Sequence, residues 1–296
     1  MDPRPLLVGL ALVALAGCMD TPAVPDGAVE ATDPTVPGLR LHAWAEPTAG
    51  GSLLRAVLRN DGGLAVQYRT ECGHPWQSGV HAPNGTPVRL YVKDLCSDYF
   101  YDFLQPGQGI DFRHSWDHAD HPGDGPAGSP VAPGAYVWRL RVETLGGHVA
   151  ELTTEVPLVV PVDGWASGRD GAGLVVYARV EPQGQGHRLL AFAVNEGPTP
   201  VPHPELCDAE WTERIVTPGG GAFPGRPGGT CAAIRQGVLE PNGTVAWTVD
   251  WEGRVPDPDT GERHPAPPGQ YRWTVGFRVG EPGAERVVEA VVPFTV

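Results

Sequence analysis

Pro133-Gly134-Ala135-Tyr136-Val137-Trp138-Arg139-Leu140-Arg141-Val142 and Pro268-Gly269-Gln270-Tyr271-Arg272-Trp273-Thr274-Val275-Gly276-Phe277 are two versions of one strand. Each opens on Pro-Gly, a turn-forming pair. Each then sets large apolar residues at every second position: Tyr136, Trp138, Leu140 and Val142 in the first, Tyr271, Trp273, Val275, Phe277 and Val279 in the second. Arg139 and Arg141 fall on the other face. A period of two with one apolar face predicts a half-buried β-strand.

The two stretches lie 135 positions apart, and the same shift superimposes much of the chain on itself. Leu39 meets Leu174, Glu46-Pro47 meets Glu181-Pro182, and Asn60-Asp61-Gly62 meets Asn195-Glu196-Gly197. Cys72 and Trp76 meet Cys207 and Trp211, and Cys96 meets Cys231. Leu104-Gln-Pro106 meets Leu239-Glu-Pro241, and Trp116 meets Trp251. No gap is needed from Leu39 to Trp138; one inserted residue then brings Val156-Pro157-Leu158 onto Val292-Pro293-Phe294. The chain is an internal duplication, with copies at residues 39–160 and 174–296 and a Gly-rich linker at 161–173 whose Trp165 is placed to pack between the copies.

Other runs alternate in the same way. Val88, Leu90 and Val92 face away from Arg89, Tyr91 and Lys93; Ile110, Phe112 and Trp116 share a face with His114; Val245, Trp247, Val249 and Trp251 form a further stripe. No stretch sustains a 3.6-residue apolar period. The 40 glycines and 33 prolines punctuate these runs as turns. Short antiparallel strands in units of this size predict an all-β fold, two tandem immunoglobulin-like β-sandwiches.

Before the first copy, Arg4 precedes the uncharged run of residues 6–16, too short to span a bilayer, which takes ~20 apolar residues. It reads as the apolar region of a secretory signal. Leu15-Ala16-Gly17-Cys18 resembles a lipoprotein cleavage site. That resemblance implies removal of residues 1–17 and acylation of Cys18, with residues 18–38 as a Pro-rich tether from the membrane. The other four cysteines can pair in three ways. Their equal placement in the copies favours Cys72–Cys96 and Cys207–Cys231, each staple worth roughly 3–4 kcal/mol for a loop of about 25 residues. The segments inside the staples, residues 77–95 and 212–230, diverge most and are expected to carry binding loops.

The formal charge is −14. An acidic chain excludes nucleic acid as the expected partner, since that needs basic side chains along a groove. No nucleophile elbow, His-Glu-x-x-His or phosphate-binding loop is present, and no acidic pair is duplicated, so no enzyme activity and no cofactor are expected. His114, His118 and His121, with Asp117, Asp120 and Asp124, crowd one stretch and include metal-ligand types. Copy 2 has Val249, Gly253 and Pro256 at the three histidine positions, and the plainer reading is a polar loop. Asn84-Gly85-Thr86 and Asn242-Gly243-Thr244 are glycosylation-type sequons that also suit tight turns. Trp76 and Trp211 are expected to pack against the staples.

Asn60, Leu104-Gln-Pro106-Gly107, Phe112, Trp116-Asp117 and Pro133-Gly134-Ala-Tyr136 together resemble the BsuPI-type intracellular proteinase inhibitor domain. Copy 2 matches through Leu239-Glu-Pro241, Trp247, Trp251 and Pro268-Gly269-Gln-Tyr271, with Asn242 in place of Gly and Glu252 in place of Asp. The resemblance covers most of both copies and implies immunoglobulin-like sandwiches with no catalytic residues. The expected protein is a membrane-anchored, extracytoplasmic lipoprotein, facing the periplasm or the cell surface. Its expected role is non-catalytic binding of an envelope protein, or scaffolding. Two alternatives stand beside it: inhibition of a protease through a loop between paired cysteines, and metal or small-ligand binding at the histidine-rich loop.

Overall fold

The structure, a computed structural model, describes residues 23–71, 76–91, 99–120, 128–146, 148–205, 210–225, 235–257, 259–281 and 283–296. The signal segment 1–17, Cys18, both expected disulfides and His121 lie outside the described residues.

The fold is all-β, in antiparallel sheets. Copy 1 contains β1 (Val29–Thr32), β2 (Leu39–Thr48), β3 (Gly51–Asn60), β4 (Val66–Glu71), β5 (Trp76–His81), β6 (Pro87–Leu90), β7 (Tyr99–Leu104), β8 (Gly109–Trp116), β9 (Gly134–Gly146) and β10 (His148–Val160). Copy 2 contains β11 (Ala166–Arg169), β12 (Leu174–Gln183), β13 (Gly186–Asn195), β14 (Val201–Glu205), β15 (Trp211–Val216), β16 (Ala222–Phe223), β17 (Arg235–Leu239) and β18 (Thr244–Trp251). It ends with β19 (Arg254–Pro256), β20 (Arg263–Pro265), β21 (Gln270–Val279) and β22 (Arg286–Thr295).

In copy 1 one sheet runs β1-β2-β3-β8; the other runs β6-β5-β9-β4-β7, with β10 on the free edge of β9. Copy 2 repeats the first as β11-β12-β13-β18 and divides the second into β16-β15-β21-β22 and the β14-β17 pair. The registers coincide in the main strand pairs, though the β5–β6 pair of copy 1 has a bulge at Val80/His81 that β15–β16 lacks. Leu39 faces Asn60 as Leu174 faces Asn195; Ala56 faces Phe112 as Ala191 faces Trp247; Trp76 faces Val142 as Trp211 faces Phe277. Val156 faces Trp138 as Val292 faces Trp273, which places the inserted residue before this point.

Each copy has its own core. Tyr136, Trp138, Leu140 and Val142 pack with Leu41, Leu54, Leu58 and Trp116; Tyr271, Trp273, Val275 and Phe277 pack with Leu174, Leu189, Ile215 and Trp251. Full burial of such side chains contributes roughly 1.5–3 kcal/mol each. On the opposite face of β9, Arg139 pairs with Glu155, and Arg141 pairs with Glu151, both at 2.8 Å. Exposed pairs of this kind contribute about 1 kcal/mol or less, so the apolar face sets the strand's position.

The two segments expected as connectors differ from expectation. Val29–Thr32, inside the expected tether, pairs with β2, and Ala166–Arg169, inside the expected linker, pairs with β12. Each copy therefore opens with a short edge strand. Trp165 does not wait for the other copy: its ring lies 5.4 Å from Phe192, and Arg179 stacks over it at 4.4 Å. Glu181 holds that guanidinium in turn.

Candidate functional site

The residues that carry the family resemblance build the frame. Where β3 passes to β4 and β7 passes to β8, the paired ribbon bends from one sheet into the other. Asn60 pins this corner. Its backbone N–H donates to Gln108 O at 3.0 Å, and its own carbonyl accepts from Gly107 N–H at 2.7 Å. Its fully buried side chain donates to Leu64 O and Leu104 O, both at 2.8 Å, and accepts from Gly62 N–H at 3.0 Å. Asn195 repeats the set on Thr199 O, Leu239 O and Gly197 N–H at 2.8, 3.0 and 3.1 Å.

Gly107 has φ 79° and Asn242 has φ 59°, so the departure from the family pattern falls where the turn needs a left-handed residue. Asparagine is among the few side chains that adopt this conformation readily. Tyr136 and Tyr271 close the opposite end by donating to Ala132 O and Pro267 O at 2.8 and 2.9 Å. Burial raises both phenol pKa values. Trp116 and Trp251 donate to Ala119 O and Arg254 O at 3.1 and 2.9 Å.

The segments between the expected cysteine pairs hold hairpins rather than free loops. Ala82 N–H bonds Thr86 O at 2.9 Å, and Thr217 N–H bonds Gly221 O at 2.8 Å, the same turn in both copies. Gly85 and Gly220 both take φ 85°, which explains how different sequences keep one geometry. Asn84, in the first sequon, accepts from Thr86 N–H at 3.0 Å as a turn residue. Asn242, in the second, is the left-handed residue of the corner. Trp76 packs edge-on to Phe112 at 5.6 Å, and Trp211 packs edge-on to Phe277 at 4.9 Å, both in the core.

The histidines are dispersed among local partners. His114 lies against Tyr91, ring centroids 3.8 Å apart, and burial lowers its pKa, with Arg89 adding to the effect. His118, at φ 58°, sits 3.0 Å from Ser52 Oγ and edge-on to Trp116. Burial lowers its pKa also, against the opposing pull of Asp117. Among the described residues no group of three His, Cys, Asp or Glu side chains is placed to hold a metal ion.

The surface that stands out was not visible in the sequence. At the β4–β7 ribbon of copy 1, Leu64 in the turn before β4 is 82% exposed, and Tyr101 and Phe103 on β7 are 56% and 52% exposed. Val36, Pro37, Leu64, Val66, Gln67 and Phe103 line a groove of about 500 Å³. Beneath it Tyr68 donates to Asp102 at 3.3 Å, and burial together with that carboxylate pushes the phenol pKa up to about 12. β7 stands at the end of its sheet. Copy 2 has Thr199, Gln236 and Val238 at the positions of Leu64, Tyr101 and Phe103.

No known family model matches the chain, and no curated protein matches it. Among solved structures, the transglutaminase of red sea bream is similar over 88% of this chain and 31% of that one, at 12% identity and a TM-score of 0.25. The chain spans about a third of that enzyme's length, and a likeness at this level assigns no activity.

Proposed function

We propose that this protein is a lipid-anchored, extracytoplasmic binding protein built from two BsuPI-like, immunoglobulin-like sandwiches. It is not an enzyme, and it engages a protein partner at the cell envelope through the β4–β7 ribbon of copy 1. The observation that carries the reading is the exposed Leu64–Tyr101–Phe103 surface. Duplication has kept the hydrogen bonds of the asparagine corner, yet copy 2 has a polar or smaller residue at each of these positions. Contiguous apolar exposure beside an open sheet edge is the chemistry of protein docking. The duplicated hydrogen bonds show that the family-pattern residues hold the frame, which leaves the surface to determine what is bound.

The test is affinity capture from the source envelope with the full chain and with a Leu64→Ser, Tyr101→Ser, Phe103→Ser variant. A partner retained by the parent and lost by a variant of unchanged circular dichroism supports the reading. Equal capture by both sinks it. A second reading, protease inhibition, is favoured by the hydrogen-bonded, largely exposed turn of residues 82–86. Stoichiometric inhibition of a serine, cysteine or metalloprotease that vanishes on replacing this turn would establish it. No inhibition across the three classes would remove it.

A further inference from the structure

The end of copy 2 where β12 turns into β13 and β18 stops has been rebuilt relative to copy 1. In copy 1 the ring of His118 lies on Ser52 and against Trp116. Copy 2 carries His187 in place of Ser52 and Gly253 in place of His118. Gly253 keeps the left-handed backbone, φ 69° against 58°, and supplies no ring. A cleft of about 580 Å³ lies there, within the range of small-molecule sites.

Its floor is aromatic. The imidazole of His187 is half-buried, stacks on Trp251 at 5.8 Å with an interplanar angle of 27°, and meets Phe294 edge-on at 5.1 Å. Burial lowers the pKa of His187, with a backbone hydrogen bond to Thr295 opposing the shift. Its rim is polar and exposed: Gln183, Gln185, Glu252 and Arg254. Gln183 and Gln185 stand where copy 1 has Thr48 and Gly50. Asp250 also lines the cleft and is paired with Arg188 at 3.1 Å. Glu252 and Arg254 offset each other, so the rim offers no net charge to select an ion.

Each primary amide both donates and accepts, which matches hydroxyl groups that do the same. A flat aromatic floor under such a rim fits the apolar face of a sugar ring. We propose that this cleft binds a neutral, hydroxyl-rich ligand of one or two sugar rings. Gln183 and Gln185 hold its hydroxyls, and the His187 ring supports it. The site is independent of the protein-docking surface of copy 1.

The probes are the N-acetylglucosamine disaccharide and maltose, added to the full-length protein and followed by amide chemical shifts. The expected result is a saturable shift of the Gly186, His187 and Gly253 signals in the millimolar range. It falls at least tenfold in a Gln183→Ala, Gln185→Ala variant, whose exposed side chains carry no part of the core. A His187→Ser, Gly253→His variant, which restores the residue pair of copy 1, should lose it as well. Absence of any shift with both probes overturns the proposal, and so do shifts that survive the glutamine variant. Tighter binding of charged glucosamine or glucuronate than of the neutral probes overturns the ligand class.

Discussion

Replacing Asn60 with alanine removes a corner pin whose energetic role can be estimated bond by bond. The side chain is fully buried and makes two donor bonds and one acceptor bond. Each bond contributes about 1 kcal/mol net, and a buried carbonyl left without its donor adds about 1–3 kcal/mol. The Leu104 carbonyl contact is buried, whereas Gly62 N–H is partly exposed and can turn to water. The sum is about 3–5 kcal/mol, a large share of the ~5–15 kcal/mol of a typical domain. Urea unfolding followed by tryptophan fluorescence reads the loss, because each copy has its own buried tryptophans. With a slope of about 1.5 kcal/mol per molar urea, one transition should move down by about 2–3 M. Asn195→Ala should move the other transition by at least as much, since it makes the matching bonds and its Gly197 N–H is buried and cannot turn to water. Asn84→Ala, in an exposed turn, should change stability by about 0.5 kcal/mol or less. A loss below about 1 kcal/mol for Asn60→Ala would refute the corner argument, as would Asn60→Ala and Asn195→Ala both lowering the same transition.

Gly107→Asn should be nearly neutral, because copy 2 already uses Asn242 there, while Gly107→Val should cost about 1–2 kcal/mol through backbone strain alone; thermal melts separate the two. No atom lies within 4 Å of a Cβ added at Gly107, so crowding cannot supply that difference. Ser78→Ala removes the acceptor of the buried Trp138 Nε1–H, which lies at 2.6 Å, and should cost about 1–3 kcal/mol by urea titration. The three histidines with lowered pKa, His114, His118 and His187, bind fewer protons folded than unfolded. Their contribution to stability is therefore full above the ordinary imidazole value near 6.5 and is lost as pH falls below it. Unfolding titrations between about pH 7 and 5 should show this decline, and His114→Phe, which keeps an aromatic against Tyr91, should remove the share of it that His114 carries.

The strands of the core could be read in the sequence because one face is dry and the other wet, as with buried Leu140 between Arg139 and Arg141. The duplication could be read because the corner asparagines, the Leu-x-Pro turns and the core tryptophans all serve geometry, which a copied fold retains. β1 and β11 were missed: they are four residues long, set among prolines or glycines, and their pattern matches a tether as well as an edge strand. Trp165 was misplaced because an aromatic in a linker gives no hint of which sheet covers it. The exposed apolar surface of copy 1 was hidden for a different reason. Tyr101 and Phe103 alternate as a core stripe would, and only the pairing of β7 with β4, which turns Leu104 and Val66 inward, leaves them outside. The cleft of copy 2 was equally silent, since the loss of a ring at Gly253 matters only beside His187, which is distant in sequence.

Copy 1 is expected to dock a protein through its β4–β7 ribbon, and copy 2 is not. The most direct measurement places a photo-crosslinking side chain at position 103 in the full-length protein in cells, with position 238 as the matched site of copy 2. A discrete adduct is expected at 103 that Leu64→Ser removes, and none at 238. No adduct at 103, or the same adduct at both positions, would contradict it.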